Sequence, residues 1–377
     1  MVCHPPLALV ILLLSFPQIV ETIYSPALPN IATAYQATPE EAAQTLSLWF
    51  VAFAFGVICW GRLCDLVGRR PSLLAGLAFY ALGSGWAMIT EDFTHLLFAR
   101  VLSAFGAAVG SIVVQTALRD SFRGPDLARI FSLLGLALAV SPAIGMFLGH
   151  QIAFHAGHRA VFATLGLLAV TLLGLGFAFW PETRPSEEPV TRFLPTLHTM
   201  LRDSDIWCTA VLIAVFNLAI FGYYQLGPFR FEQLQNNWLD FGDSGLVLAA
   251  ASLLGAWTNA RLLRYGKSPN TLAGLGVLLL AIGSILVFLL SSGPAFLIGM
   301  AVVALAYAIA IPNILANALR RYADRLGTAG ALLSMLYYML LGVGLMLAGW
   351  GQNLEYLLLA CAMLGTLALL VAQMFPR

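Results

Sequence analysis

The sequence predicts an all-α, polytopic membrane protein whose twelve transmembrane helices form two pseudo-symmetric bundles of six. Of its 377 residues, 60% are hydrophobic and only 10% are charged, whereas soluble globular proteins are about 25% charged. A helix needs about 20 apolar residues to cross a hydrocarbon core about 30 Å thick. Twelve such segments can be read, and each must be helical because backbone polar groups in lipid need partners within the segment. They are residues 6–33, 43–63, 71–90, 94–118, 129–151, 159–180, 206–229, 244–262, 270–291, 294–318, 328–350 and 353–375.

The longest polar stretch separates the sixth segment from the seventh. It is PETRPSEEPVTRFLPTLHTMLRDSD, residues 181–205. We therefore expect an N-terminal six-helix bundle over residues 1–180, a cytoplasmic linker over 181–205, and a C-terminal six-helix bundle over 206–377.

The positions of Lys and Arg predict the orientation of the chain. With the N-terminus inside the cell, sixteen of the nineteen Lys and Arg residues lie in cytoplasmic loops or at cytoplasmic helix ends. The exceptions are Arg100, Arg159 and Arg230. Because cytoplasmic loops carry an excess of positive charge, both termini are expected in the cytoplasm.

Several other classes of protein are disfavoured. A net charge of +1 gives no reason to expect nucleic acid as a partner. The five cysteines have no metal-type spacing, and the three histidines of residues 150–159 fit no standard zinc pattern. The GKS at 266–268 resembles a phosphate loop, but Arg261 stands where its first glycine is required. We expect no metal, no cofactor and no enzymatic activity, in a monomer surrounded by lipid.

A faint internal repeat supports the two bundles. GRLCDLVGRRP follows the second segment at residues 61–71, and NARLLRYGKS follows the eighth at 259–268. Aligning Gly68 with Gly266 places Arg69 on Lys267, while the second copy lacks the aspartate. Two bundles with similar loops at equivalent positions suggest a pseudo-symmetric transporter whose site lies between the bundles near the membrane midplane.

The fifth segment contains GLALAVSPAIGMFLG, residues 135–149. Pro142 removes one backbone hydrogen bond and is expected to kink the helix. Gly145 and Gly149 are spaced for close packing against a neighbouring helix.

A single carboxylate interrupts the first segment. Glu21 is the one residue between Val2 and Pro39 that carries a full charge at pH 7. A charge at the bilayer centre costs about 2.5–3.5 kcal/mol on insertion scales, so such residues usually face the protein interior and are functional. At about 1.5 Å per residue, Arg100 of the fourth segment lies at a similar depth and is the expected partner. Burial favours the neutral acid and a neighbouring arginine favours the carboxylate, and the sequence leaves the balance open.

The loop pattern G-x-x-x-D-x-x-G-R-R-P resembles the signature loop of the major facilitator superfamily. Further stretches resemble its Bcr/CflA drug-efflux branch, from about residue 20 to residue 350. They are SPALPNIA (25–32), Arg119–Asp120, WPET (180–183), AIPNILANAL (310–319) and GTAGALLSML (327–336).

The resemblance implies twelve helices and drug/proton antiport. It also implies that the loop acts as a conformational latch between the two bundles. The residues of this latch are Gly61, Asp65, Gly68, Arg69 and Arg70. The stretch around Pro142 is similar to the antiporter motif of drug exporters. Arg100 matches the family's arginine on the fourth helix, whereas the family's helix 1 acid stands at the position of Thr22, one residue after Glu21.

By the same resemblance, the first, fourth, seventh and tenth helices line a central cavity. Their polar and aromatic residues suit an amphipathic organic ligand, although each is also of a type that hydrogen-bonds between helices. The candidates are Gln18, Tyr24, Ser25, Gln115, Asn217, Tyr223, Tyr224, Tyr307, Asn313 and Asn317.

Three functions remain in view at this stage. The first is proton-coupled export of small amphipathic compounds across the inner membrane of a bacterial cell by alternating access, with Glu21 and Arg100 in the coupling and the proton as the coupling ion. The second is transport of an anionic metabolite or siderophore, with Arg100 contacting its carboxylate. An intramembrane enzyme is the third, and the sequence lacks the paired residues that it would need.

Overall fold

A computed structural model describes residues 5–122, 124–184, 193–234 and 240–374, and the secondary structure within those ranges is helical. Side chains 124–129, 131–139, 193, 323–326, 373 and 374 fall outside this description, as do residues 185–192 of the predicted linker. The α-helices are α1 (Leu7–Tyr24), α2 (Leu28–Ala34), α3 (Pro39–Val67), α4 (Arg69–Ile89), α5 (Phe93–Ser121), α6 (Gly124–Phe179), α7 (Phe193–Leu201), α8 (Ser204–Leu234), α9 (Phe241–Arg264), α10 (Pro269–Leu289), α11 (Phe296–Ala318), α12 (Leu326–Gly351) and α13 (Leu354–Met374). Short 3₁₀ turns join α1 to α2 at Ser25–Ala27 and precede α12 at Arg320–Arg325.

Helix lengths confirm twelve membrane crossings. Eleven helical stretches in the described ranges are long and apolar enough to cross a membrane. One of them, Val140–Phe179, has 40 residues, which span about 60 Å at 1.5 Å per residue, twice the thickness of a hydrocarbon core. Gly157 interrupts it with φ 73° and ψ −179°. This stretch therefore supplies two crossings, as the sequence predicted.

The helix α6 keeps helical backbone angles at Pro142 and departs from them at Gly157, so a kink at Pro142 stays a prediction. The two glycines that follow Pro142 do pack closely on α1. A Cβ atom on Gly149 would lie 2.7 Å from the Cα atom of Ile23, and one on Gly145 would collide with Thr22. Side chains at these positions would push α6 away from α1.

The chain forms two compact units. The first contains Met1–Thr38 and Leu48–Arg192, and the second contains Pro39–Ser47 and Phe193–Arg377. The helix α3 thus contributes its first nine residues to the second unit and the rest to the first. Inside the second unit, the side chain of Gln225 donates hydrogen bonds to the backbone oxygen of Ala43 (2.7 Å) and to Oγ of Ser47 (3.0 Å).

The same helix contact recurs inside each unit, about 200 residues apart. A Cβ atom on Gly56 would lie 2.8 Å from the backbone oxygen of Phe105. One on Gly255 would lie 2.7 Å from the backbone oxygen of Leu305. The aligned loop glycines also share positive φ angles, 112° at Gly68 and 78° at Gly266. The repeat seen faintly in the sequence is therefore a repeat of backbone packing.

Close packing also fixes the distance between α1 and α5 in the first unit. A Cβ atom on Gly110 would lie 2.6 Å from the backbone oxygen of Leu13 and 3.0 Å from the ring of Pro17. Pro17 is one helical turn before Glu21, so this contact sets how near Glu21 comes to α5.

We predict that Gly110→Ala lowers stability, because the added methyl group must displace the backbone of α1. Overpacking of this kind costs about 1–3 kcal/mol. Gly85→Ala is the matched control, since a Cβ atom at Gly85 meets nothing within 4 Å and alanine is the better helix former. Unfolding midpoints of the two variants in detergent test this. Equal midpoints would contradict the proposed close contact.

Candidate functional site

The centre of the first unit holds the ion pair that the sequence predicted. Nη2 of Arg100, on α5, lies 3.0 Å from Oε1 of Glu21, on α1. The side chains are 1% and 2% exposed. The acid and the base therefore compensate each other inside the protein, and neither faces lipid.

Aromatic rings surround this pair. The guanidinium carbon of Arg100 lies 3.7 Å from the centroid of the Tyr24 ring, a cation–π arrangement. Tyr24 packs in turn against Phe162, with 5.8 Å between centroids. Tyr80 of α4 packs edge-to-face on Phe16 at 4.8 Å. All four rings are buried, so the charges lie in an enclosure with little water, where electrostatic interactions are strong.

The register of α1 explains why the acid stands at position 21. Thr22 faces α6, where it contacts Gly145, and its hydroxyl donates to the backbone oxygen of Gln18 at 2.8 Å. One residue turns a side chain by about 100° around the helix, which directs Glu21 to α5. A carboxylate at position 22 would meet α6 instead of Arg100.

The other predicted ligand-binding residues of the first unit differ in their exposure. Tyr24 belongs to the aromatic enclosure, and Ser25 is fully buried in the 3₁₀ turn after it. Gln18 and Gln115 are half-buried.

In the second unit, the candidates fall into two groups. Asn217 of α8 accepts a hydrogen bond from Tyr307 of α11 at 3.3 Å, and Tyr224 is buried on the same helix as Asn217. The remaining three are bound to neighbouring helices. Tyr223 bonds to Ser244, Asn313 donates to Asn259 at 2.6 Å, and Asn317 donates to Asn270 at 3.0 Å. Like the Asn217–Tyr307 bond, these are contacts between helices, the other role considered for these residues from the sequence.

Some polar residues at these sites were missed by the sequence analysis. Tyr80 was absent from the predictions, and so were Tyr337 and Tyr338 of α12, whose ring centroids lie 4.3 Å apart. Two adjacent tyrosines in an apolar helix are a signal that could have been read. Tyr80 carries no such signal, because tertiary packing brings it near the ion pair, through its contact with Phe16 and the close approach of α4 to Gly106.

The predicted latch loop joins α3 to α4 and forms a second polar site. Arg69 is fully buried between two carboxylates, with Nε 2.8 Å from Asp120 and Nη1 3.3 Å from Asp65. It also donates to the backbone oxygen of Cys64 at 2.9 Å. Arg70 instead donates to the backbone oxygen of Phe177. Gly61 is half-buried in the last turns of α3, and Gly68 adopts φ 112°.

A carboxylate from the end of α6 completes this site. Glu182 accepts hydrogen bonds from the backbone N–H groups of Arg69 (2.9 Å) and Arg70 (3.1 Å), and from those of Thr183 and Arg184. Arg184 donates to the backbone oxygen of Leu66 at 2.6 Å. An anion thus caps the N-terminus of α4 and a cation caps the C-terminus of α3, as helix dipoles favour. The WPET stretch marked Glu182 as a family feature without indicating this role.

The protonation of Glu182 reflects these contacts. Partial burial acts to raise its pKa, but the four backbone N–H donors outweigh burial and hold the pKa below the ordinary value of 4.5. Glu182 is therefore ionised at neutral pH and keeps the cap charged.

Two units with twelve crossings between them, the first with a charge-compensated pair in its interior, are typical of a membrane transporter. A family model confirms this class and makes it specific: the Major Facilitator Superfamily matches residues 10–345. The chain belongs to the major facilitator superfamily, whose members are transporters and not enzymes. The predicted family, fold class and non-enzymatic nature are confirmed.

Similar proteins include several bacterial transporters. A chloramphenicol resistance protein of Pseudomonas aeruginosa is 29% identical over 328 residues, covering 85% of this chain and 78% of that protein. Multidrug resistance protein D of Escherichia coli is 27% identical over 207 residues, covering 55% and 52%. An uncharacterized transporter of Rickettsia bellii is 28% identical over 352 residues, covering 89% and 87%.

Solved structures share the fold at low sequence identity. A POT family transporter matches with a TM-score of 0.77 and 12% identity, covering 98% of this chain and 97% of that chain. An auto-inhibited POT family peptide transporter matches with a TM-score of 0.73 and 13% identity. At this identity the likeness supports the fold alone.

We predict an asymmetry between the two ways of breaking the buried pair. Removing one partner of a buried ion pair costs about 3–5 kcal/mol, because the other charge is left uncompensated. Glu21→Gln leaves an arginine that cannot lose its proton, whereas Arg100→Gln leaves a carboxylate that can gain one. Glu21→Gln is therefore expected to destabilise the protein more than Arg100→Gln.

Denaturation in detergent tests this asymmetry, with the double variant Glu21→Gln/Arg100→Gln as the control. The double variant buries no charge and should be more stable than Glu21→Gln alone. If the double variant lost the sum of the two single effects, the two side chains would not be coupled.

Glu182 should contribute stability that depends on pH. Because folding lowers its pKa, the contribution is complete above about pH 4.5 and is lost as pH falls through the lower value in the folded protein. Capping interactions are worth about 0.5–2 kcal/mol, and the exposure of this side chain favours the lower end.

This effect can be measured from unfolding midpoints between about pH 3 and pH 7, the range in which carboxyl groups titrate. Glu182→Gln should lower the midpoint at pH 7 and reduce its acid dependence. Glu91→Gln, which removes an exposed carboxylate paired with Arg159, should change little. If the unfolding midpoints of wild type and Glu182→Gln fell identically as the pH is lowered, the charged cap would be excluded.

Proposed function

We propose that this transporter exports small amphipathic compounds in exchange for protons across the bacterial inner membrane. The observation that carries the proposal is the buried Glu21–Arg100 pair at the centre of the first unit. Intramembrane ionisable groups are rare and commonly mark ion or proton pathways. Two of the similar proteins, a chloramphenicol resistance protein and a multidrug resistance protein, support the drug-export part of the proposal by their names.

The pair gives Glu21 two stable states. With Arg100 at 3.0 Å, the neighbouring positive charge favours the carboxylate. When substrate or a helix movement draws Arg100 away, burial favours the neutral acid, and Glu21 takes up a proton. The affinity for a proton therefore changes with conformation, which is the requirement for exchanging a proton against substrate.

Alternating access would move the proton and the substrate through the same cycle. In this proposal, the loop around Asp65, Arg69 and Arg70 is the conformational latch. Its internal geometry supports a defined structure, since Arg69 is held by Asp65 and Asp120. The amphipathic substrate would bind to polar and aromatic residues of each unit. Asn217 and Tyr307, which are hydrogen-bonded to each other and uncharged, are examples.

The proposed orientation places both termini and the linker in the cytoplasm. It is supported by the distribution of sixteen of the nineteen Lys and Arg residues. The three exceptions are each paired with a glutamate. These pairs are Arg100–Glu21, Arg159–Glu91 (3.3 Å) and Arg230–Glu355 (2.8 Å).

A second candidate is transport of an anionic metabolite with Arg100 as the carboxylate contact. Nε of Arg100 is buried without a hydrogen-bond partner among the described residues, so this guanidinium has donor capacity in reserve. In that case a carboxylate should compete with a lipophilic cation or neutral drug for the site, and Glu21 would only balance the charge.

Substrate-triggered proton release from the purified protein in detergent tests the main proposal. Wild type should release protons when a transported compound binds. Glu21→Gln should release at least about tenfold fewer, because glutamine has no proton to give up in this range of pH. Glu232→Gln, which removes an exposed carboxyl of α8, is the matched control and should behave like wild type.

The double variant Glu21→Gln/Arg100→Gln provides a second test in case the single variant is unstable. It should bind substrate without releasing protons. Release equal to wild type from either Glu21 variant would remove Glu21 from the coupling and with it the proposed mechanism.

A further inference from the structure

The ion pair is incomplete on one side. Three polar atoms close to it are buried without a hydrogen-bond partner among the described residues: Oε2 of Glu21, Nε of Arg100 and the hydroxyl of Tyr80. Buried polar groups are paired in the great majority of cases, and each exception calls for an explanation. Here three exceptions occur together.

The geometry of the pair explains two of them. Arginine and carboxylate often pair through two parallel hydrogen bonds, but Arg100 and Glu21 share a single one, between Nη2 and Oε1. This offset leaves an unused acceptor on Glu21 and an unused donor on Arg100. The face of the guanidinium lies on the ring of Tyr24 at 3.7 Å, so its remaining contacts must be made along its edge.

Tyr80 supplies the third atom. Its side chain is fully buried on α4, where Phe16 holds the ring, and its hydroxyl interacts electrostatically with both Arg100 and Glu21. Ser84 lies nearby on the same helix, without a hydrogen bond of acceptable geometry to the Tyr80 hydroxyl.

We propose that one water molecule is bound at the open side of the Glu21–Arg100 pair. It accepts a hydrogen bond from Nε of Arg100, donates one to Oε2 of Glu21, and makes its third with the hydroxyl of Tyr80. Buried waters typically make about three hydrogen bonds to otherwise unsatisfied groups, and three such groups are present. Tyr80 is then a positioning residue for this water.

A water molecule suits this place better than a fixed side chain would. It donates to Oε2 while Glu21 is a carboxylate, and it accepts from the same oxygen once Glu21 is protonated. The site thus remains hydrogen-bonded in both protonation states. The titratable groups that the described residues place against the pair are Tyr24, which lies against Arg100, and Tyr80, which interacts with both charges.

A structure of the full-length protein, at a resolution that shows other buried waters, tests the proposal directly. Ordered density should lie within about 2.7–3.2 Å of the three atoms in wild type and be lost in Tyr80→Phe, which keeps the ring. Tyr35→Phe is the matched control, since it removes a hydroxyl that donates to the backbone oxygen of Thr90. Absence of density in wild type, or its persistence unchanged in Tyr80→Phe, would overturn the proposal.

Infrared spectroscopy in acid gives a second readout that does not depend on transport. The carbonyl stretch of protonated Glu21, identified by its absence in Glu21→Gln, should move to higher frequency in Tyr80→Phe as its hydrogen bonding weakens. In Tyr35→Phe it should not move, and an unmoved band in Tyr80→Phe would contradict a bridging water. Loss of proton coupling with the water still present would defeat the proposed function and leave this inference intact.

Discussion

The fold of the first unit is organised around one buried ion pair. Removing a carboxylate and a guanidinium from water costs several kcal/mol per ion, and their attraction offsets this only when the geometry is good. Glu21 and Arg100 reach 3.0 Å because Gly110 lets α1 approach α5. Stability therefore favours a closed pair, whereas the proton uptake that we propose for Glu21 would require the pair to open. A substrate that replaces part of the contact would lower the cost of opening.

The second unit repeats the scaffold without the charge. Gly83 packs on Ala99 and Ser103 in the first unit as Gly283 packs on Gly299 and Val303 in the second. The same offset of 200 residues places Met300 where the first unit has Arg100, and Met300 is fully buried. The buried polar residues described in the second unit are all uncharged. The backbone packing and the ionisable chemistry are thus separable, and only the packing is shared by the two units.

How much the sequence predicts depends on the range of the interaction. The twelve crossings follow from local hydrophobicity, and the pairing of Glu21 with Arg100 follows from equal depth along two helices. Which side of a helix a residue faces does not follow in the same way. Asn313 and Tyr223 are predicted to line a cavity; in the structure each bonds to a neighbouring helix, and the sequence does not indicate those partners. The place of Tyr80 beside the pair is likewise set by tertiary packing, which a single sequence does not reveal.

The arginines of the α3–α4 loop show that one charge can serve two purposes. Positive residues at a cytoplasmic helix end bias how the chain inserts, and for that role they need only be near the membrane surface. Arg69, however, is fully buried between Asp65 and Asp120, and the backbone that follows Gly68 is capped by Glu182. In the proposed orientation, a charge that helps to orient the chain is therefore also an internal ligand of the folded loop. Its replacement by lysine would preserve the orientation signal while losing the planar donors that reach two carboxylates at once.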